Sequence, residues 1–336
     1  MSSENIVFAG VDDGHRETEI VLSTGFRIKT PSRAMSGLSN RISISGQQSS
    51  VFSYNTSEGQ FSMGDIEDAE DTAYDDYPFS AQNRVIVAHA FRLAGLDENT
   101  QINLVSGLPL KRFYLKNKPN KDVIDRKKQN LLKYDVVGLD GYKPPKVIGH
   151  TVMAEAIAAW VNYVILRNKG KLSIDKERVA KRTAIIDVGG RTLDIAVVKD
   201  WDLDADRSTS DEIGMITIIE AMRERLYDFF GGVEPTDEMV EQAVETGFVS
   251  AWGKLNNVKE IREDVIMGVV NSLRATIKRR LKSAQDIDSV FFIGGTSKFL
   301  EKYLNGWFIN QVAVENAEYA NAEGMLKYAE YVMSAK

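Results

Sequence analysis

The stretch Thr183-Ala-Ile-Ile-Asp-Val-Gly-Gly-Arg-Thr-Leu-Asp-Ile-Ala-Val-Val198 decides the fold. An apolar run ends at Asp187, turns through Gly189-Gly190 and restarts at Leu193. That pattern predicts a β-hairpin whose tip is too tight for side chains. Two consecutive glycines expose backbone N–H groups and let a ligand approach closely, which suits a phosphate. Asp187 and Asp194 frame the tip. Carboxylates beside phosphate make electrostatic sense only with a divalent cation between them.

The same device occurs earlier. Val11-Asp12-Asp13-Gly14 ends the run that starts at Ile6, and Ile20-Val21-Leu22 follows. In both places an Asp is followed by Gly two residues on, by an acid seven on and by Ile eight on. The members are Asp12, Gly14, Glu19, Ile20 and Asp187, Gly189, Asp194, Ile195, about 175 residues apart. That offset is far too long for a solenoid period. Two similar halves, each offering a hairpin tip to one phosphate chain, is the economical reading. A third glycine turn, Gly294-Gly295-Thr296, follows the buried-strand pattern ending at Ile293 and opens an apparent helix. A strand, Gly-Gly, helix junction admits a planar base or a phosphate.

At 336 residues the chain exceeds one typical domain and is expected to form two units sharing a cleft. Lys plus Arg number 42 against 48 Asp plus Glu, a net charge of −6, which argues against direct DNA binding. Cysteine is absent, so thiolate nucleophiles and zinc-thiolate sites are excluded and a reducing compartment is expected. His15, His89 and His150 are scattered and form no metal set or hydrolase triad. There is no leader pattern, no membrane-length apolar run and no Gly-x4-Gly-Lys-Ser/Thr loop. A cytoplasmic location follows as the expectation.

The ordered set of three turns resembles the actin/Hsp70/sugar-kinase superfamily. Within it the chain resembles the plasmid-segregation ATPases of the ParM or StbA type. Similar segments are Gly107-Leu-Pro-Leu110, Asn117-Lys-Pro-Asn120, Asp125-Arg-Lys-Lys128, residues 147–157 around Glu155, and Asn321-Ala-Glu-Gly-Met325. The resemblance implies an α/β, actin-like fold with two related α/β domains flanking a nucleotide cleft. Domain I would span 1–175, with a closing helix at 316–336 packing back on it, and domain II 176–315. The implied function is an ATPase that polymerises into filaments on binding ATP-Mg and segregates a plasmid or other DNA element through a DNA-binding adaptor protein. The alternatives are a small-molecule kinase of sugar or acetate type, or a non-polymerising, nucleotide-gated binding protein. Neither direct DNA binding nor a membrane partner is expected.

Carried onto these residues, the resemblance implies ATP (with GTP left open) and Mg²⁺. Backbone groups of Asp13, Gly14, His15 and Arg16, and of Gly189, Gly190, Arg191 and Thr192, would cradle the phosphates. Asp12 and Asp187 would hold Mg²⁺, mostly through its waters. Gly294, Gly295 and Thr296 would admit the adenosine, with Gly214 near the ribose. Glu155 would orient the attacking water, so Glu155, Asp187 and Asp12 are the expected catalytic groups. Two departures stand out: relatives carry Lys where this chain has Glu19, and a small residue where it has Arg16. Either Arg16 supplies the missing charge or the nucleotide geometry differs; Arg191 is a further candidate cation.

Between these landmarks, strands are expected at 6–11, 18–22, 26–29, 101–106, 146–151 and 311–314. Helices are expected from Ser80 to Gly95, at 123–133 with a solvated cationic face or a subunit contact, and at 153–168, 237–246, 257–285 and 317–335. Another follows Gly214. Residues 31–48 read as a mobile loop, 65–77 as an acidic solvated loop and 171–182 as a charged linker.

Overall fold

The structure, a computed structural model, describes residues 6–39, 50–66, 69–70 and 72–333. Half of the 31–48 loop expectation (residues 40–48), the acids Glu67, Asp68 and Asp71, and the last three residues of the chain lie outside these.

Two sheets carry the architecture, and they share one plan. In the first, the hairpin Ile6–Asp13 and Glu17–Leu22 is extended by Arg27–Pro31 on one side. On the other side Gln101–Leu108 and then Lys146–Ala154 run parallel to Ile6–Asp13. In the second, the hairpin Thr183–Val188 and Leu193–Lys199 is flanked by Thr209–Asp211 on one side. Ser289–Ile293 and then Gln311–Val312 run parallel on the other. The repeat read from the sequence is therefore a repeat of pairing. Asp12 faces Glu19 across the first hairpin, as Asp187 faces Asp194 across the second.

The central strands are buried on both faces; all six residues of Thr183–Val188 are buried. Helix Ile157–Val164 and the closing helix Ala320–Tyr328 fill the space between the sheets, where Trp160, Val161 and Met325 join one core with Ile185, Ala196 and Ile293. Their approach is glycine-tight. A Cβ on Gly324 would overlap the carbonyl of Ala158, and one on Gly10 the carbonyl of Ala322. Helices Met215–Phe229 and Lys259–Leu281 cover the outer face of the second sheet. Ala81–Leu93, whose Ser80 cap accepts from Asn83 N–H at 3.1 Å, covers the first.

Four local expectations are corrected. The helix expected to reach Asn168 stops at Val164, because Ile165–Asn168 pairs with Lys171–Ile174 around Lys169-Gly170, both at positive φ. The expected linker is thus a strand followed by the short helix Lys176–Ala180, capped by Asp175. Two hairpins went unread: Val51–Thr56 with Gly59–Gly64, and Phe248–Ala251 with Lys254–Asn257. The second shortens the long helix to Lys259–Leu281. The helix expected at 123–133 forms as Lys121–Leu132, but Lys127 on it is buried rather than solvated. Among the described residues no helix is long and apolar enough to cross a membrane.

Candidate functional site

The two hairpin tips and the third glycine turn open onto one cavity of about 340 Å³ between the sheets. Every sequence-predicted site residue except Gly214 lines it: Asp12, Asp13, Gly14, His15 and Arg16 from the first tip, Glu155, Asp187, Gly189, Gly190, Arg191 and Thr192 around the second, and Gly294, Gly295 and Thr296. Gly214 sits behind the second tip, so close that a Cβ would lie 2.6 Å from the carbonyl oxygens of Gly189 and Gly190.

The turns are made to fit one another. A Cβ on Gly190 would lie 2.7 Å from Arg16 Cβ, and one on Gly295 3.0 Å from a Glu17 carboxylate oxygen. Thr296 Oγ1 donates to Gly189 C=O at 2.7 Å and ties the third turn to the second. The second tip is closed by Gly189 N–H to Thr192 C=O at 2.9 Å, which leaves Gly190 and Arg191 outside the ladder and facing the cavity.

The carboxylates converge on the cavity floor. Asn321, from the closing helix, donates through Nδ2 to Asp12 at 3.1 Å and to Asp187 at 2.6 Å. One side chain thereby joins the leading acids of both hairpins. Its Oδ1 accepts from Ala156 N–H at 3.1 Å, the residue after Glu155. Ala156 has φ of 62°, a turn that ends the strand and starts the helix, and this places Glu155 at the junction. Gly107 lies under Glu155; a Cβ there would meet Glu155 Cγ at 2.8 Å.

Burial raises these acids above the ordinary carboxylate range. Burial pushes Asp187 up to about 8, helped by the charge of Asp12. Asp12, partly open to the cavity, rises to about 6, first through desolvation, against the Asn321 hydrogen bond that lowers it. Glu155 and Glu19 are raised well above the usual carboxylate range, by desolvation and then by Asp12. Asp194 is raised by burial and offset by hydrogen bonds from Ser210 Oγ and from Leu110 N–H at 2.8 Å. His15 is lowered to about 4 by burial. Five desolvated carboxylates form an environment that a divalent cation would relieve.

The donor chemistry fits Mg²⁺ with a phosphate chain. Hard oxygens are present, yet among the described residues no group of three or more acidic or His side chains is arranged to hold a metal alone. Mg²⁺ characteristically takes one or two carboxylates and completes its shell with water and phosphate.

Three site residues escaped the sequence reading. Lys127, 1% exposed, lines the cavity and forms a buried ion pair with Asp13. Asn83 Nδ2 donates to the same Asp13 carboxylate at 2.6 Å. Asn321 had been noted only within a segment that resembles the family. Arg16 lines the cavity, while its guanidinium reaches Glu241 at 3.6 Å. Arg191 pairs with Asp75 at 2.9 Å. The cation nearest Glu19 in register is Lys29 on the neighbouring strand, paired with Glu17 at 3.0 Å.

A family model for the N-terminal part of the plasmid segregation protein ParM matches residues 7–164. Another, for the C-terminal part of an archaeal MreB-like actin homologue, matches residues 185–306. Among solved structures the chain is similar to a 15-stranded ParM filament from Clostridium botulinum, with TM-score 0.76 and 19% identity over 97% of this chain and 99% of that one. It is similar to an archaeal actin homologue in complex with ADP, with TM-score 0.73 and 19% identity over 97% and 99%. Bacillus thuringiensis ParM with ATP gives 0.67 and 16% over 99% and 100%. No curated protein sequence matches the chain.

Proposed function

Because the chain belongs to the actin-like proteins, with a first half of the ParM type, we propose that it binds ATP-Mg between its two sheets and assembles into filaments that its own ATP hydrolysis takes apart. The single observation that carries the nucleotide reading is Asn321, which holds Asp12 and Asp187 together at the floor of a cavity rimmed by three glycine turns. Asp12 and Asp187 would hold Mg²⁺, which when bound offsets phosphate charge. The N–H groups of Gly14, His15, Gly190 and Arg191 would face the phosphates, and Gly294 to Thr296 the nucleoside.

Glu155 is the group that orients and deprotonates water. Burial first, and then the charges of Asp12 and its neighbours, raise Glu155 well above the usual carboxylate range, and a cation among those acids would lower it towards the form that accepts a proton. Hydrolysis of a phosphoanhydride needs positioning and charge compensation more than covalent help. A filament that moves a plasmid or other DNA element through an adaptor protein is the biological role that fits an acidic chain of this family.

The test is assembly. Right-angle light scattering and pelleting should rise on addition of ATP and Mg²⁺, and stay low with either alone. Flat scattering across a wide concentration range, with nucleotide bound, would leave a non-polymerising nucleotide-gated protein as the reading.

A further inference from the structure

Among the described residues the most exposed large apolar side chains are Ile309, at 109%, and Trp252, at 73%. Neither touches the cavity between the sheets. Trp252 forms, with Gly253, the tip of the hairpin Phe248–Ala251 and Lys254–Asn257. Both tip residues have positive φ, 49° and 72°. Gly accepts that conformation freely and Trp does not, so the backbone bears a cost to project an indole into water. Phe230 buttresses the ring edge-on at 5.4 Å, and Leu255 on the same hairpin is 66% exposed.

Ile309 is held as firmly. Its neighbour Asn310 donates to Ala284 C=O at 3.0 Å and Ile287 C=O at 2.6 Å, while Phe308 stacks on Phe292. The two tips stand at opposite ends of one rod. The hairpin leads directly into helix Lys259–Leu281, and Asn310 is fixed just beyond its last turn. That helix of 23 residues is about 35 Å long. Its last turn is basic, with Lys278, Arg279 and Arg280, while its first turn is mixed, with Glu260 between Lys259 and Arg262.

We infer that the Trp252 hairpin of one copy of this chain docks on the Ile309 loop of the next, so that second halves stack head to tail. The inference rests on the filament reading above and names the surfaces that reading lacks. A patch at one end that meets a different patch at the other is a heterologous contact, which need not close and so can run into an open polymer. The contact is apolar on both sides, Trp252 and Leu255 from the tip meeting Ile309 on the loop. Gly247, at φ 73°, joins the hairpin to helix Asp237–Thr246, whose Val244 and Glu245 line the cavity. Ligand in the cavity therefore bears on the hairpin's position.

The chain contains no cysteine, so two single variants, Trp252→Cys and Ile309→Cys, each carry one thiol. With ATP and Mg²⁺ under mild oxidation, the mixture should give a covalent dimer that neither variant gives alone. The variant bearing both cysteines should give a ladder. Trp252→Asn and Ile309→Asp should each raise the concentration needed for assembly at least about tenfold, with binding of a fluorescent ATP analogue unchanged. Dimers from either variant alone mean a two-fold contact and overturn the inference. So does a parent that assembles while the mixture stays uncross-linked and both polar variants assemble normally. A parent that never assembles while the mixed dimer still forms would sink the filament reading and leave this contact standing.

Discussion

At the scale of single residues, the site trades stability for charge chemistry. A carboxyl whose folded value is raised binds protons that the unfolded chain has already lost, so its contribution to stability falls as pH rises. For Asp187 the window runs from its ordinary 3.8 to about 8. The unliganded protein should lose stability across that range, and Asp187→Asn should flatten the loss. Near pH 8 the variant should exceed the parent by at least ~1 kcal/mol, the worth of one pKa unit, with the gap closing towards pH 4. Its Mg²⁺-dependent nucleotide binding should vanish; thermal melts and titrations at several pH values test both halves. Lys127 and Asp13 form the opposite case, a buried pair in which each partner needs the other. Lys127→Met should cost ~3–5 kcal/mol, because Asp13 is left buried and unpaired. Adding Asp13→Asn should recover most of that stability. If Lys127 also faces the phosphates, the double variant will fold well and still bind ATP poorly. Equal affinity in the double variant and the parent would make the pair purely structural. The same titration applied to Arg16→Ala and Glu19→Lys shows which charge near the first tip matters. Loss in the first and gain in the second is expected if Arg16 compensates for Glu19.

At the scale of elements, glycine decides how closely the closing helix can approach. Gly324 rests on the Ala158 carbonyl, so Gly324→Ala forces the helix outward and should cost ~1–3 kcal/mol. Gly268, in the middle of helix Lys259–Leu281, has open space where a Cβ would go. Gly268→Ala should therefore stabilise by ~0.5–1 kcal/mol, and opposite shifts in melting temperature from these two changes are the check. Elements with a strong period or a glycine tip were legible in the sequence: both central hairpins, the Ser80-capped helix and the third turn. What was lost has physical reasons. Ile165–Asn168 continues the apolar spacing of the helix before it, and only Lys169-Gly170 signals the turn that pairs it with Lys171–Ile174. Phe248–Asn257 is short, with Trp252 where a turn residue is expected. Lys127 belongs to a run of cations that reads as solvated, and nothing local shows that Asp13 lies above it. Asn321 is an ordinary polar residue until the fold brings residues 12, 187 and 321 together.

At the scale of the molecule, the first half reaches into the second at more than the cavity floor. Leu110 N–H is bonded to Asp194, Lys111 N–H to Ser210 at 3.2 Å, and Arg33 pairs with Asp237 and Glu241, each at 3.5 Å. The first two contacts lie beside Gly107, which Glu155 overlies, so the group assigned to water sits where the halves are pinned together. The proposed chemistry and the inter-half geometry thus meet on one short segment. That placement predicts a separation of binding from turnover. Glu155→Ala should keep ATP affinity and assembly, because neither Asp12, Asp187 nor the glycine turns change. Phosphate release should slow by ~10²–10⁴-fold, the usual loss for a positioned base. If hydrolysis is what loosens the filament, polymers of the variant should outlast the parent's once free ATP is exhausted. Phosphate release and scattering can be followed in one cuvette. Unchanged turnover would remove Glu155 from the mechanism; slow turnover with normal disassembly would show that filament lifetime is set elsewhere than at the pinned segment.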